Sequence, residues 1–210
     1  PPLIDEHFHG TGRDAIAGIS MSGGPALNIA SLEPERFAAA ASYSGCPATS
    51  GVLGDTYVRQ ALKLNGADPR KMWGMSSNPA WAAHSPVLHL ETLEGTKLFV
   101  SAAQGVPGAI DDTKTSSERI GPPVAIEAAS YACSEYFVDR AQRAGLDVQW
   151  HPQVEGTHSW GLFEKSMRKS WGVIGPALDV QPFRRETPVT KSPLPEEAPQ
   201  PVGGSAGSSS

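Results

Sequence analysis

Ser20 stands where a serine can be made a nucleophile. It ends a short apolar run, Ala15 to Ile19, whose small and β-branched residues read as a buried strand. Ser22, Gly23 and Gly24 follow, and from Pro25 onward Ala26, Leu27, Ile29 and Ala30 offer one helical apolar face. Strand, sharp turn bearing a serine, then helix is the layout of a nucleophile elbow. A serine at the tip of such a turn is pushed out of the sheet with its Oγ exposed. The backbone N–H of the next residue, Met21, then faces the oxyanion that forms on an attacked carbonyl. The spacing is Gly18-x-Ser20-x-Ser22 rather than G-x-S-x-G. Ser22 is a rival, because Ser20-Met21-Ser22-Gly23-Gly24 reads S-x-S-x-G. Two plainer readings exist: a tight connection in an α/β domain, or a phosphate cradle that lacks the basic residue such loops carry.

A serine of this kind needs a histidine and an acid downstream, in the chain order serine, acid, histidine. Glu155-Gly-Thr-His-Ser-Trp puts His158 on the loop after the last strand, where it can take the serine proton and return it to a leaving group. The other histidines fit worse. His7 and His9 precede the serine, His84 and His89 precede the third strand, and His151 lies on a strand. The plain reading of His158 is a helix-capping loop residue. Asp111, Asp112, Glu118 and Glu127 are candidates for the acid that orients the imidazole. Position alone leaves the two aspartates at least as good as Glu127, whose plain reading is a first-turn carboxylate favoured by the helix dipole. His7 and His9 beside Asp5 and Glu6 read as a solvated approach to a strand, so no metal and no cofactor is expected.

These residues must be positioned by alternating strands and helices. After the elbow, Phe37 to Tyr43 reads as a second buried strand and Thr96 to Ala103 as a third, bounded by Gly95 and Gly105. A helical piece near Thr56 to Leu64 falls in a segment, 48 to 96, that Gly74, Asn78, Pro79 and Pro86 break repeatedly. A long helix is expected from Val124 to Arg143, stopped by Gly145. Val148 to His151 follows as a fourth strand, and Ser159 to Trp171 as a final helix. Residues 1 to 13 read as the end of a helix or loop. The alternation predicts an α/β fold with a mostly parallel sheet flanked by helices.

Composition narrows the function. At 210 residues the chain can bury a core as one domain. Its net charge of −5, with no basic run, argues against nucleic acid as a partner. No apolar stretch approaches the roughly 20 residues of a transmembrane segment, and no signal peptide is visible. From 175 to 210 the composition turns to Pro, Glu, Ser and Gly, which predicts a disordered tail after a folded part spanning 1 to 174. Cys46 and Cys133 lack metal-ligand spacing and read as two buried thiols or one long-range disulfide. A disulfide would imply an oxidising compartment.

Three segments together carry a resemblance: Gly-Ile-Ser-Met-Ser-Gly-Gly at the elbow, Ala-Ser-Tyr-Ser-Gly after its helix, and Gly-Thr-His-Ser-Trp after the last strand. From about Leu3 to Trp171 the chain resembles the antigen 85 mycolyltransferases, α/β-hydrolase-fold acyltransferases that build trehalose mycolates in bacterial cell envelopes. The resemblance implies Ser20 rather than Ser22 as nucleophile and His158 as base. It implies Glu127 as acid, through the Ala125-Ile126-Glu127 context, and Trp160 as a wall of the acyl or sugar site. A mycoloyl-trehalose glycolipid and a sugar acceptor would then be the partners, in a secreted or envelope protein with peripheral contact to lipid.

The chain also departs from that pattern. Its cysteines look like the arrangement of a more distant envelope branch, which implies a Cys46–Cys133 bridge. An α/β-hydrolase has about four strands before its elbow, and only thirteen residues stand there in this chain. The expectation is a C-terminal portion with its N-terminal strands missing and an exposed edge at the elbow strand. Such a piece would have little activity alone, since losing one oxyanion donor costs about two to three powers of ten. Two rivals share the resemblance: an esterase-D-like carboxylesterase with water as acceptor, and a catalytically silent envelope binding protein.

Overall fold

The computed structural model describes residues 2–111 and 121–180. Asp112 and Glu118, and nearly all of the proposed tail, lie outside the described residues. A short helix, α1 (Pro2–Phe8), precedes strand β1 (Asp14–Ile19), a single 3₁₀ turn (Ser20–Ser22) and helix α2 (Gly23–Leu32). Strand β2 (Phe37–Tyr43) leads into α3 (Gly51–Leu64) and two one-turn helices, α4 (Arg70–Trp73) and α5 (Ala80–Ala83). Strand β3 (Lys97–Val106), helix α6 (Pro122–Arg143), strand β4 (Val148–Glu155) and helix α7 (Trp160–Ala177) complete the order.

The four strands pair in parallel in the order β1-β2-β3-β4, as the sequence predicts. Crossovers of one hand between successive parallel strands put their helices on one face. Leu27 and Ala30 of α2 and Cys133, Phe137 and Ala141 of α6 accordingly pack with Ala40, Leu98 and Val100 of the sheet. On the other face, Ile174 and Ala177 of α7 pack with Ala39, Ala41, Tyr43 and Phe99. The alanine run of β2 is what permits this three-layer stack. Ala39, Ala40 and Ala41 are wholly buried, and larger side chains on both faces would hold the helices off the sheet. Tyr43 Oη, 2.6 Å from Ser170 Oγ, ties β2 to α7.

The Cys46–Cys133 disulfide is formed, with Cα atoms 5.0 Å apart across 87 residues of sequence. It joins the loop after β2 to the middle of α6, more than a turn beyond Glu127. Several boundaries differ from the sequence reading, β3 running on to Val106 and α6 starting at Pro122 among them. Strand β4 runs on through Pro152 to Glu155, because β4 is a sheet edge where a missing N–H costs no ladder bond. Helix α7 continues through Gly175 and Pro176 to Ala177, held by the packing of Ile174 and Ala177. Helix α3 begins five residues earlier than expected, at Gly51.

Candidate active site

Sheet topology brings the carboxyl ends of all four strands to one rim, where open α/β sheets place their ligands. Ser20 follows β1 at that rim with φ of 55°, a left-handed conformation that non-glycine residues rarely adopt. This sharp turn is possible because its neighbours are small. A Cβ on Gly18 would run into the Ser22 carbonyl, and one on Gly24 into the Cys46 carbonyl. Met21 follows, its side chain 62% exposed.

The two serines are employed differently. Ser22 Oγ accepts the Ile19 N–H and donates to the Ile19 carbonyl, both at 2.8 Å, so it staples the turn. Ser20 Oγ instead lies 2.6 Å from His158 Nε2. On the far side of the ring, His158 Nδ1 lies 2.7 Å from Glu127 Oε2. A carboxylate can only accept, so Nδ1 carries the proton and the neutral ring offers Nε2 as acceptor to the serine hydroxyl.

Glu127 is wholly buried on the second turn of α6, yet every direction around it is satisfied. Its Oε1 accepts from Ser44 Oγ and from the Ala103 N–H, each at 2.7 Å. Ser44 is itself held in the left-handed region, with φ of 51°, just past the end of β2. The acid is thus gripped by residues from β2, β3 and the histidine loop at once. A buried carboxylate is tolerated only with such a full set of donors. Burial raises the phenol pKa of nearby Tyr57, its Ser130 hydrogen bond works against that, and the charge on Glu127 adds a smaller upward push.

His158 is fixed by its own surroundings. Its backbone N–H donates to the Pro123 carbonyl at the start of α6, and Phe163 of α7 meets its ring edge-on, centroids 4.9 Å apart. Trp160 stands edge-on to Phe163, ring centroids 5.8 Å apart, and is 75% exposed. Asp111 is brought to the histidine loop rather than to the ring. Its Oδ1 accepts from the Thr157 N–H and Oγ1, both at 2.8 Å, and from Ser159 Oγ at 2.9 Å. Its Oδ2 accepts the Gly108 N–H. Burial works to raise the Asp111 pKa, but these hydrogen bonds outweigh it and hold the carboxyl below its ordinary value.

The remaining histidines stay away from this constellation. His7 and His9 are exposed near α1, and His84 and His89 lie in the excursion between β2 and β3. His151, on β4, packs against Phe99 of β3. Among the described residues no group of three or more His, Cys, Asp or Glu converges in the manner of a metal site.

Sequence reasoning missed Ser44, the Ala103 N–H and Phe163. Only the Ser-Tyr-Ser-Gly segment after the elbow helix carried a signal for the first, and nothing local marks the other two.

The family model Esterase, described as "Putative esterase", matches residues 1–172. The chain belongs to this esterase family. It is 28% identical to Diacylglycerol acyltransferase/mycolyltransferase Ag85C of Mycobacterium avium over 73% of its own length and 43% of the relative's. It is 31% identical to Diacylglycerol acyltransferase/mycolyltransferase Ag85B of the same organism, over 70% of its length and 44% of the relative's. This esterase-family chain therefore spans less than half the length of these relatives. Among solved structures, Mycobacterium tuberculosis MPT51 (FbpC1) superposes with a TM-score of 0.68 at 20% identity, covering 85% of this chain and 65% of that one. A ferulic acid esterase superposes at 0.52 and 17% identity, covering 86% and 57%. Both likenesses establish an α/β-hydrolase fold.

Proposed function

We propose that the protein is a serine acyltransferase that moves a mycoloyl group from trehalose monomycolate to a sugar hydroxyl in the cell envelope. The observation that carries this reading is the unbroken line Ser20 Oγ, His158, Glu127, with links of 2.6 and 2.7 Å, anchored on a left-handed serine turn. The mycolyltransferase relatives supply the acyl class.

In this reading Ser20 Oγ attacks the ester carbonyl while His158 Nε2 takes its proton. The Met21 N–H stabilises the resulting oxyanion. Collapse expels the trehalose hydroxyl, which receives the proton from His158 and leaves a mycoloyl-serine. A second sugar hydroxyl then gives its proton to Nε2 and attacks the acyl-serine, and Ser20 departs and recovers that proton. Glu127 stays a carboxylate throughout, holding the ring's tautomer and balancing the imidazolium. Trp160, exposed beside the rim, offers an apolar wall to acyl chain or sugar. The disulfide agrees with an oxidising, extracytoplasmic setting.

Water as acceptor would make the same residues a carboxylesterase, a reading that the esterase family match favours. Incubating the full-length protein with trehalose monomycolate separates the two. Trehalose dimycolate in excess over free mycolic acid is the expected result; free acid alone would assign the esterase activity instead. Neither product would leave a binding role.

A further inference from the structure

We propose that Asp111 is a positioning residue for His158, a clamp that sets where the imidazole stands between Ser20 and Glu127. The proposal rests on the acyl-transfer reading for its kinetic consequence, but not for its structural one. Asp111 was a candidate for the acid itself, and the geometry assigns it other work.

One oxygen of this carboxylate, Oδ1, collects three donors from the two residues that bracket the histidine: the Thr157 N–H, the Thr157 hydroxyl and the Ser159 hydroxyl. Thr157 is wholly buried and Asp111 nearly so, which shields the two Thr157 bonds from competing water. The other oxygen holds the Gly108 N–H, tying the clamp to the loop that leaves β3.

Close backbone packing reinforces the same junction. A Cβ on Gly161 would collide with the Ile110 carbonyl, and one on Gly108 would press on the Glu155 side chain. Gly156, at φ of 136°, lets the chain turn sharply off β4 just before the clamp. The Gly156 N–H donates to the Val106 carbonyl at 2.7 Å. Residues 106–111 therefore hold the histidine loop at Gly156, Thr157 and Ser159 and pack closely on Gly161, while the backbone N–H of residue 158 itself donates to Pro123.

A loop residue that must hold two hydrogen bonds in line tolerates little displacement, and misplacement by about 1 Å costs on the order of a hundredfold in rate. Neutral donors bonded to an ionised acceptor form the stronger class of hydrogen bond, so a carboxylate suits this position better than an amide or hydroxyl.

The test compares Asp111→Ala and Asp111→Asn with the wild type in the full-length protein, using two readouts. The first is the far-downfield proton resonance of the His158–Glu127 hydrogen bond, identified by its loss in Glu127→Gln. The second is the rate of labelling of Ser20 by a fluorophosphonate, with kcat and KM on a soluble ester. Asp111→Ala is expected to lose or broaden the proton and to slow labelling by about ten- to a hundredfold, with KM changed far less than kcat. Asp111→Asn, which keeps one acceptor oxygen, is expected to recover most of both. If Asp111→Ala does not fold, Thr157→Val with Ser159→Ala leaves the carboxylate in place. That pair is expected to slow labelling by about fivefold per bond removed.

A folded Asp111→Ala protein with the proton and the labelling rate of the wild type overturns the clamp. Absence of labelling in the wild type itself counts against acyl transfer, and the proton resonance alone then decides the clamp.

Discussion

Replacing Ser22 with alanine removes two hydrogen bonds to Ile19, and each is worth about 1 kcal/mol. Thermal unfolding should therefore move to lower temperature while a fluorophosphonate still labels the protein. Ser20→Ala should do the reverse, abolishing labelling and leaving stability nearly unchanged. The contrast separates a structural serine from a reacting one two positions away.

The titrating residues make a second prediction. Burial, with the charges of Lys169 and Lys165 behind it, holds the His151 pKa below its ordinary value. The folded state therefore resists a proton that the unfolded chain accepts from about pH 6.5 downward. The His151 contribution should fall as pH drops from there toward the lowered folded value, and should be flat above about pH 6.5. Lys165→Gln with Lys169→Gln should move the His151 ring titration upward, which proton NMR reads directly. Asp111 acts at lower pH. Its depressed carboxyl contributes stability that is complete above about pH 4 and is lost as pH falls through the folded value.

At the scale of elements, the disulfide joins the acid's helix to the loop holding Ser44, which itself bonds Glu127. Reduction should cost about 2–5 kcal/mol, seen as a lower midpoint in chemical denaturation with reductant. It should also slow Ser20 labelling, because the bridge lies six residues past Glu127 on α6. Thiol titration of the denatured protein should find free thiols only after reduction.

The elements legible in the sequence were those whose pattern is local: the apolar run of β1, the alanines of β2, β3 and the long helix α6 before Gly145. Strand β4 and helix α7 run past their expected ends, through Pro152 and Pro176, because proline breaks structure only where its missing N–H is needed or its ring clashes. At a sheet edge it is harmless, and in the last turn of α7 packing by Ile174 and Ala177 prevails. The site was legible in part. Residues 20 and 158 announce themselves by motif, and 127 came from likeness to a family. Position alone could not rank Glu127 against Asp111, since both follow β3 and both reach the histidine loop.

For the whole molecule, the carboxyl ends of the four strands share one rim. Among the described residues β1 and β4 are the sheet's edges, and no helix is long and apolar enough to cross a membrane. Met21 and Trp160 are exposed apolar residues, one and two positions along the chain from Ser20 and His158, and in the proposed acyl transfer they would meet the lipid chain. Trp160→Ala should accordingly raise KM for a long-chain ester more than for a short one, by about tenfold, with stability unchanged.

Acyl transfer at this rim depends on the line from hydroxyl to imidazole to carboxylate, and labelling of the full-length protein by a fluorophosphonate tests that line most directly. One modified site is expected, located by mass spectrometry on Ser20, with the rate reduced by about a thousandfold or more in His158→Ala. Modification of Ser22, or a rate indifferent to His158, would contradict it.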